Sequence, residues 1–392
     1  MAAGSDFLAG VNDHAREFRL LLALLRDERE LGHELLSDPS IDWDYLIRAV
    51  EFHGLIPVVA RFVKETDCGL PHSIGVQLDQ AGRQALQANV MLAGELMRVL
   101  RLLNAAGIEC LPFKGPAMAA QLWGDFTLRQ SIDLDLLVHR AQVPEAISCL
   151  AETGYCPQSG CDWRKSLETS VELSLHKPRM LSLELQWGIA PAYFSVDFDF
   201  ESSWERSPVS DFAGQRIRMF APEDLLLILC IHGWKHAWNR LLWAADIAKL
   251  LQTYRDLEWD FLLSGARATR LESVLLLGLK LTSELFAVKL PREVESRVAR
   301  GPAAKQLETA TAESVSYMKG LTQPSYIGWH RYMLRARERR VDRFRHVSRF
   351  LLTTNANDWH SLRLPGLLGP FYQLVRLARV GHVAVQYAWR RD

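Results

Sequence analysis

Three acidic residues stand at spacings that predict carboxylates on the polar faces of β-strands. Asp133 and Asp135 are two residues apart in the segment 131–138, where polar and apolar residues alternate, so both side chains face the same way. Glu184 is the only acid on the polar face of a second alternating segment, 181–187. Carboxylates gathered on one face repel each other unless a cation lies between them, and Mg²⁺ prefers carboxylate and phosphate oxygens. If the two strands are neighbours, the three acids could hold two metal ions for in-line phosphoryl transfer.

A glycine and two basic residues near these acids indicate how a phosphate group would be bound. Lys114 and Gly115 lie where a predicted strand over 108–113 gives way to a short helix. Free backbone N–H groups at a helix N-terminus attract phosphate, and a lysine beside them adds charge. Arg129 precedes Asp133 by four residues and could bind a phosphate through two parallel hydrogen bonds.

A further polar group lies in the segment 231–240, which the apolar pattern predicts to be helical throughout. At helical spacing five polar residues share one face, namely His232, Lys235, His236, Asn239 and Arg240. Three interpretations stay open. The face could close over a nucleotide triphosphate, or it could be a structural, hydrogen-bonded face paired with Asp246. The two histidines could also bind zinc, although the zinc-protease pattern needs a glutamate where Gly233 stands.

Changes in hydrophobic period along the chain predict the elements that must position these residues. Helical spacing over 1–107 gives way to a β-α-β-α-β-β pattern over 108–220, and helical spacing returns over 221–392. The chain is therefore expected to be an α+β protein, with a small mixed-sheet domain flanked by N-terminal and C-terminal helical regions. In the Asp-x-Asp strand, the residues expected to anchor the core are Ile132, Leu134, Leu136 and Val138.

Composition and charge exclude several other classes of protein. Lys+Arg and Asp+Glu number 46 each in 392 residues, which argues against a nucleic-acid coat or a basic membrane-surface protein. The longest apolar run, 225–231, is too short to span a bilayer, and no signal-peptide pattern opens the sequence, so a cytoplasmic protein is expected. An arginine-rich segment over 335–349 predicts either a solvated helix face or a surface for an anionic partner such as RNA.

These motifs resemble those of the nucleotidyltransferase superfamily with the polymerase-β-like fold. The similarity rests on Lys114-Gly115, on Arg129 and on the segment 132–138, Ile-Asp-Leu-Asp-Leu-Leu-Val. More narrowly, they resemble a poorly characterised branch in which a Lys-Gly element precedes an Arg-x3-Asp-x-Asp strand. The chain departs from the pattern twice: Pro116 replaces the usual serine, and Gln186 stands where the branch often has a histidine.

The resemblance implies a Mg²⁺- or Mn²⁺-dependent nucleotidyltransferase. Such an enzyme moves an NMP from an NTP such as ATP to a hydroxyl of an acceptor, here an unidentified small molecule, protein or RNA, and releases pyrophosphate. Asp133, Asp135 and Glu184 would be the catalytic and metal-binding residues. The nucleotide-binding residues would be Lys114, Gly115, Arg129, His232, Lys235 and His236. Two alternatives stay open, an RNA- or tRNA-directed transferase and a non-catalytic binding protein that retains the fold.

Overall fold

The first part of the chain is helical, as the spacing of its apolar residues predicts. The computed structural model describes residues 14–66, 69–158, 162–178, 180–196, 198–337, 340–354, 358 and 371–389, with side chains as far as 382. Asp42 caps one of the N-terminal helices by accepting a hydrogen bond from the N–H of Tyr45, and Gly54 ends that helix in the left-handed conformation. The helices are α1 (Ala15–Leu25), α2 (Arg29–Leu36), α3 (Trp43–His53), α4 (Ile56–Glu65) and α5 (His72–Ala105).

A small mixed sheet follows, and with it the α+β fold class is confirmed. The strands of the sheet and the helices that connect them are β1 (Cys110–Pro112), α6 (Gly115–Trp123), β2 (Asp133–Val138), α7 (Val143–Ala151), β3 (Cys156–Pro157), α8 (Trp163–Thr169), β4 (Glu172–His176) and β5 (Ser182–Gln186). The strand order is β1-β2-β5-β4-β3, and only β2 and β5 run parallel. Beyond the sheet come α9 (Phe200–Arg206) and a hairpin of β6 (Val209–Phe212) and β7 (Gln215–Arg218).

The register of the central strands places the acidic residues. Asp135 on β2 lies directly opposite Glu184 on β5, so their side chains share one face of the sheet. On the other face, Leu134, Leu136 and their neighbours are buried in a core shared with α5 and α7. Ile132 does not belong to that core, contrary to expectation. It is 60% exposed, because β2 begins only at Asp133 and the alternation therefore does not extend back to residue 132.

Helices return after the hairpin. They are α10 (Pro222–Lys235), α11 (Leu241–Thr253), α12 (Trp259–Ala268), α13 (Glu272–Phe286), α14 (Arg292–Arg300), α15 (Ala304–Gly320), α16 (Tyr326–Arg335), α17 (Arg340–Leu352) and α18 (Tyr372–Trp389). Within the described ranges, every helix is too short or too polar to cross a bilayer.

The predicted continuous helix over 231–240 is wrong, because α10 ends at Lys235. Two backbone hydrogen bonds close the helix end, from the N–H of Trp238 to the carbonyl of Gly233 and from that of Ala237 to the carbonyl of Trp234. The Trp238 ring packs so closely on Gly233 that a Cβ there would lie 2.4 Å from it. The same ring also contacts Gly278 on α13. Packing of this one indole therefore decides where α10 stops.

The N-terminal and C-terminal helices share one hydrophobic core. Leu21 of α1, Val50 of α3 and Leu277 of α13 belong to the same buried cluster. Hydrogen bonds join the two regions as well, from Arg26 to the carbonyl of Leu285 and from the Tyr45 hydroxyl to the carbonyl of Lys319. The boundaries expected after residues 107 and 220 stay predictions. They fall in short connections, before β1 and between β7 and α10.

Candidate active site

A cavity of about 460 Å³ opens between the polar face of the sheet, the start of α6 and the end of α10. Every residue that the sequence predicted for the site lines it, and the structure therefore brings together positions more than a hundred residues apart. They are Lys114, Gly115, Arg129, Asp133, Asp135, Glu184, His232, Lys235 and His236.

The three carboxylates form one wall of this cavity. Asp135 is almost completely buried, whereas Asp133 and Glu184 are partly buried. Burial, together with repulsion from Asp135, raises the pKa of Asp133 to about 6 and that of Glu184 to about 7. Burial is the larger cause of both shifts, and a cation in the cavity would compensate for the lost solvation as well as for the repulsion between the acids.

Two side chains hold Asp135 in place. The Lys114 Nζ lies 3.0 Å from Oδ1 of Asp135, and Nε2 of Gln186 donates to the same oxygen at 2.7 Å. Gln186 also donates to Oε2 of Glu184 at 3.1 Å, so it bridges two of the carboxylates. The departure from the branch's usual histidine thus places an amide donor between the acids.

Gly115 begins α6 beside the acidic strand. Its φ of +69° lies in the left-handed region that favours glycine, and a Cβ built there would lie 3.5 Å from the carbonyl oxygen of Asp133. No side chain caps α6, and Pro116 occupies its first turn. The start of α6, at Gly115, therefore lies at the cavity without a capping side chain, next to the carboxylates.

Arg129 lines the cavity, but its guanidinium donates mainly to a carboxylate on α11. Its Nε and Nη2 lie 2.9 Å from Oδ1 and Oδ2 of Asp246 on α11, and both side chains are buried. The indole of Trp123 donates to the same carboxylate at 2.9 Å. One interpretation expected Asp246 to pair with the histidine–lysine group, and the structure contradicts it. Through Arg129, its carboxylate instead joins α11 to the loop that leads into β2.

The end of α10 forms the opposite wall. The rings of His232, His236 and Trp243 pack together, with centroids 4.8 to 5.1 Å apart. Enclosure within the cavity, with help from nearby lysines, holds the pKa of His232 and of His236 below the ordinary range, so both rings are neutral at pH 7. Lys235 and Arg240 are cations of this wall, and burial lowers the pKa of Lys235 against the attraction of Glu172.

Two functional positions escaped the sequence reasoning. Glu172 on β4 lies opposite Gln186 and lines the cavity as a fourth acid. Its signal was available, because residues 171–175 alternate in the same way as the strands that carry Asp133, Asp135 and Glu184. Asn89 on α5 is buried and holds the approach to β2 through hydrogen bonds to the carbonyl of Arg129 and from the N–H of Ser131. Nothing local distinguishes that asparagine from an ordinary helix residue.

The donor set suits Mg²⁺ although it is not arranged as a finished metal site. In the part of the chain that the structure describes, no group of three His, Cys, Asp or Glu side chains is placed to hold a metal ion. The donors are nevertheless all oxygens, and Oδ2 of Asp135 is buried without a hydrogen-bond partner among the described residues. Leaving such an oxygen unpaired is costly, and a divalent cation would satisfy it.

Sequence comparison identifies the group to which this arrangement belongs. The family described as uncharacterised nucleotidyltransferase matches residues 39–287, more than half of the chain, including all three carboxylates and Lys235. The chain belongs to this nucleotidyltransferase family. The family match ends before Gln323, Pro324 and Trp329, which complete the cavity wall.

Similarity to individual proteins is weaker than the match to the family. One solved structure, an antigenic nucleotidyltransferase-like protein from Paracoccidioides brasiliensis, is similar at 16% identity and a TM-score of 0.30. The alignment covers 53% of this chain and 97% of that protein. No curated protein sequence matches the chain significantly.

The raised pKa values predict how stability depends on pH in this nucleotidyltransferase family member. Glu184 has an ordinary pKa of 4.5 and a folded pKa of about 7, so between these values the folded state binds more protons than the unfolded chain. The melting temperature of the metal-free protein should therefore fall as the pH rises from about 5 to 8. Thermal unfolding in EDTA would measure it, and Glu184→Gln should flatten the curve. An equally steep curve in that variant would assign the effect to other groups.

Proposed function

We propose that the protein is a Mg²⁺-dependent nucleotidyltransferase that transfers an NMP from an NTP to a hydroxyl of an acceptor and releases pyrophosphate. The single observation that carries the proposal is the shared cavity. Asp133, Asp135 and Glu184 meet there with the uncapped start of α6 and with Lys235. Carboxylates for metal and N–H groups for phosphate are the two components that this chemistry needs.

The residues divide the work of the transfer. Asp133, Asp135 and Glu184 would hold Mg²⁺, which when bound neutralises the negative charge that develops on the phosphoryl oxygens. The N-terminus of α6 and Lys235 bind the triphosphate from two sides. The acceptor hydroxyl oxygen forms a bond to the α-phosphorus, the bond from that phosphorus to the bridging oxygen of the pyrophosphate breaks, and Glu184 takes the hydroxyl proton.

A label-transfer assay tests this function. The protein is incubated with Mg²⁺ and each NTP labelled at the α-phosphate, with fractions of a cell extract as the source of acceptor. Label from the α-position should become attached to an acceptor, whereas label at the γ-position should be released as pyrophosphate. EDTA should abolish the transfer. Attachment of γ-label instead would identify a kinase and contradict the proposal.

The arginine-rich segment gives little support to an RNA-directed enzyme. Arg337 is buried and donates to the carbonyl of Phe194, Arg343 donates to the carbonyl of Arg337, and Arg349 donates to the carbonyl of Ala192. Ion pairs join Arg335 to Glu313 and Arg345 to Asp342. Arg339 lies outside the described residues. Most of these arginines therefore bind their own chain, and the acceptor stays open.

Lys235 should contribute mainly to nucleotide binding. Lys235→Ala is expected to raise the KM for NTP about tenfold with a smaller change in kcat, because it removes one charge-assisted phosphate contact present before and during transfer. Steady-state kinetics at varied NTP concentration would measure the changes in KM and kcat separately. Lys305→Ala, which removes an exposed lysine on α15, is the matched control and should change neither constant. A fall in kcat alone would show that Lys235 acts only in the transition state.

A further inference from the structure

Lys114 occupies the position at the acidic cluster where a metal ion would be expected. Its Nζ is 3.0 Å from Oδ1 of Asp135, and the two side chains are only 16% and 1% exposed. The carboxylates of Asp133 and Glu184 also attract it. A lysine is therefore the nearest cation to the most deeply buried of the three carboxylates.

The position of Lys114 explains why the acids are not arranged as a finished metal site. Oδ1 of Asp135 already accepts hydrogen bonds from Lys114 and from Gln186, and only Oδ2 is left without a partner among the described residues. An ammonium group and a divalent cation beside the same carboxylate would repel each other. A metal ion that enters without nucleotide must therefore displace the lysine within a cavity where Asp133 and Glu184 would hold the metal and Glu172 already attracts Lys235.

A nucleotide would supply the displaced lysine with an anion that neither the metal nor Lys235 already occupies. Lys114 is the residue that precedes the first turn of α6, so its side chain starts from the helix end at which phosphates would bind. Its long flexible stem allows the ammonium group to change partners without movement of the backbone.

We propose that Lys114 is the internal counter-ion of the metal-free site and moves from Asp135 to the triphosphate when metal and NTP bind together. This inference rests on the proposed nucleotide and metal site. Two consequences follow. Metal alone binds weakly, and each ligand strengthens the binding of the other, since the exchange of Lys114 couples them.

Binding of Mn²⁺ to the full-length protein tests the proposal without any need for turnover. The free ion is measured by electron paramagnetic resonance, with and without an NTP analogue whose α–β bridge is methylene. Lys114→Met keeps most of the side-chain volume and removes the charge. It should bind Mn²⁺ alone about tenfold more tightly than the unmodified protein, and the analogue should strengthen Mn²⁺ binding by a smaller factor than it does in the unmodified protein.

Two further variants make the outcome decisive. Lys114→Arg keeps the charge and should retain weak binding of Mn²⁺ alone, and Lys305→Met should behave like the unmodified protein. Circular dichroism melting shows whether each variant is folded at the assay temperature. Unchanged or weaker Mn²⁺ binding by folded Lys114→Met would overturn the counter-ion role, as would tight binding by Lys114→Arg. These results are independent of the label-transfer assay, so failure of the proposed function would be seen separately.

Discussion

The Asp133→Ala variant is expected to lose nucleotidyl transfer by about 10³-fold or more while its fold stays intact. The loss follows because several kcal/mol of transition-state stabilisation depends on the metal that this carboxylate would hold. Stability should be unchanged or slightly higher at pH 8. The pKa of Asp133 is raised to about 6 by burial and by Asp135, so its ionised form destabilises the metal-free fold above that pH. Transfer of α-labelled NMP and thermal unfolding would measure the two effects.

A matched control separates charge at the site from charge in general. Asp211→Asn removes an exposed aspartate on β6, outside the cavity lining, and should leave transfer unchanged. If Asp133→Ala retained a tenth or more of the activity, the carboxylate would not be a metal ligand. A large drop in melting temperature would show instead that the acid has a structural role.

The Asp246→Ala variant is expected to lose about 3–5 kcal/mol of unfolding free energy. The substitution leaves the guanidinium of Arg129 buried without its carboxylate and removes the acceptor of the Trp123 indole. With total stabilities of about 5–15 kcal/mol in ordinary domains, this is a large fraction of the whole. Urea unfolding followed by circular dichroism would measure it.

Two comparisons identify the cause of that loss. Asp79→Ala breaks the exposed pair with Arg83 on α5, which solvent screens, and should cost far less. The double variant Arg129→Met with Asp246→Leu removes both buried charges and should recover most of the stability, because no charge is left unpaired. Equal losses in Asp246→Ala and Asp79→Ala would show that the buried pair contributes no more than a surface pair.

The periodicity of the sequence was sufficient to predict the acidic strands. Side chains alternate across any β-strand, so the spacing of Asp133 and Asp135 places both on one face whatever the rest of the chain does. The same argument predicted the face of Glu184, and the glycine at position 115 marked the change from strand to helix. These are local properties, and local backbone geometry determines them. Where the alternation ended was less certain, as the exposed Ile132 shows.

Tertiary structure alone decided which of these residues meet. The sequence cannot state that β2 lies beside β5 in the register that sets Asp135 opposite Glu184. Nor does it identify the partner of Asp246, because spacing along the chain indicated only the histidine–lysine face, whereas Arg129 is 117 residues away. Burial determines the partner, since a carboxylate with no exposure must be hydrogen-bonded, and Arg129 together with the Trp123 indole satisfies it.

The C-terminal end of α10 shows most clearly that residues distant in the sequence determine local structure. The helical pattern of 231–240 continues past Lys235, and no proline or charge pattern ends it. The stop depends on the Trp238 ring, which fills the space above Gly233 and against Gly278, a residue on another helix. Patterns along the chain therefore determined which side chains could do chemistry. Packing between distant segments determined their partners, because contact energies depend on neighbours that sequence spacing does not specify.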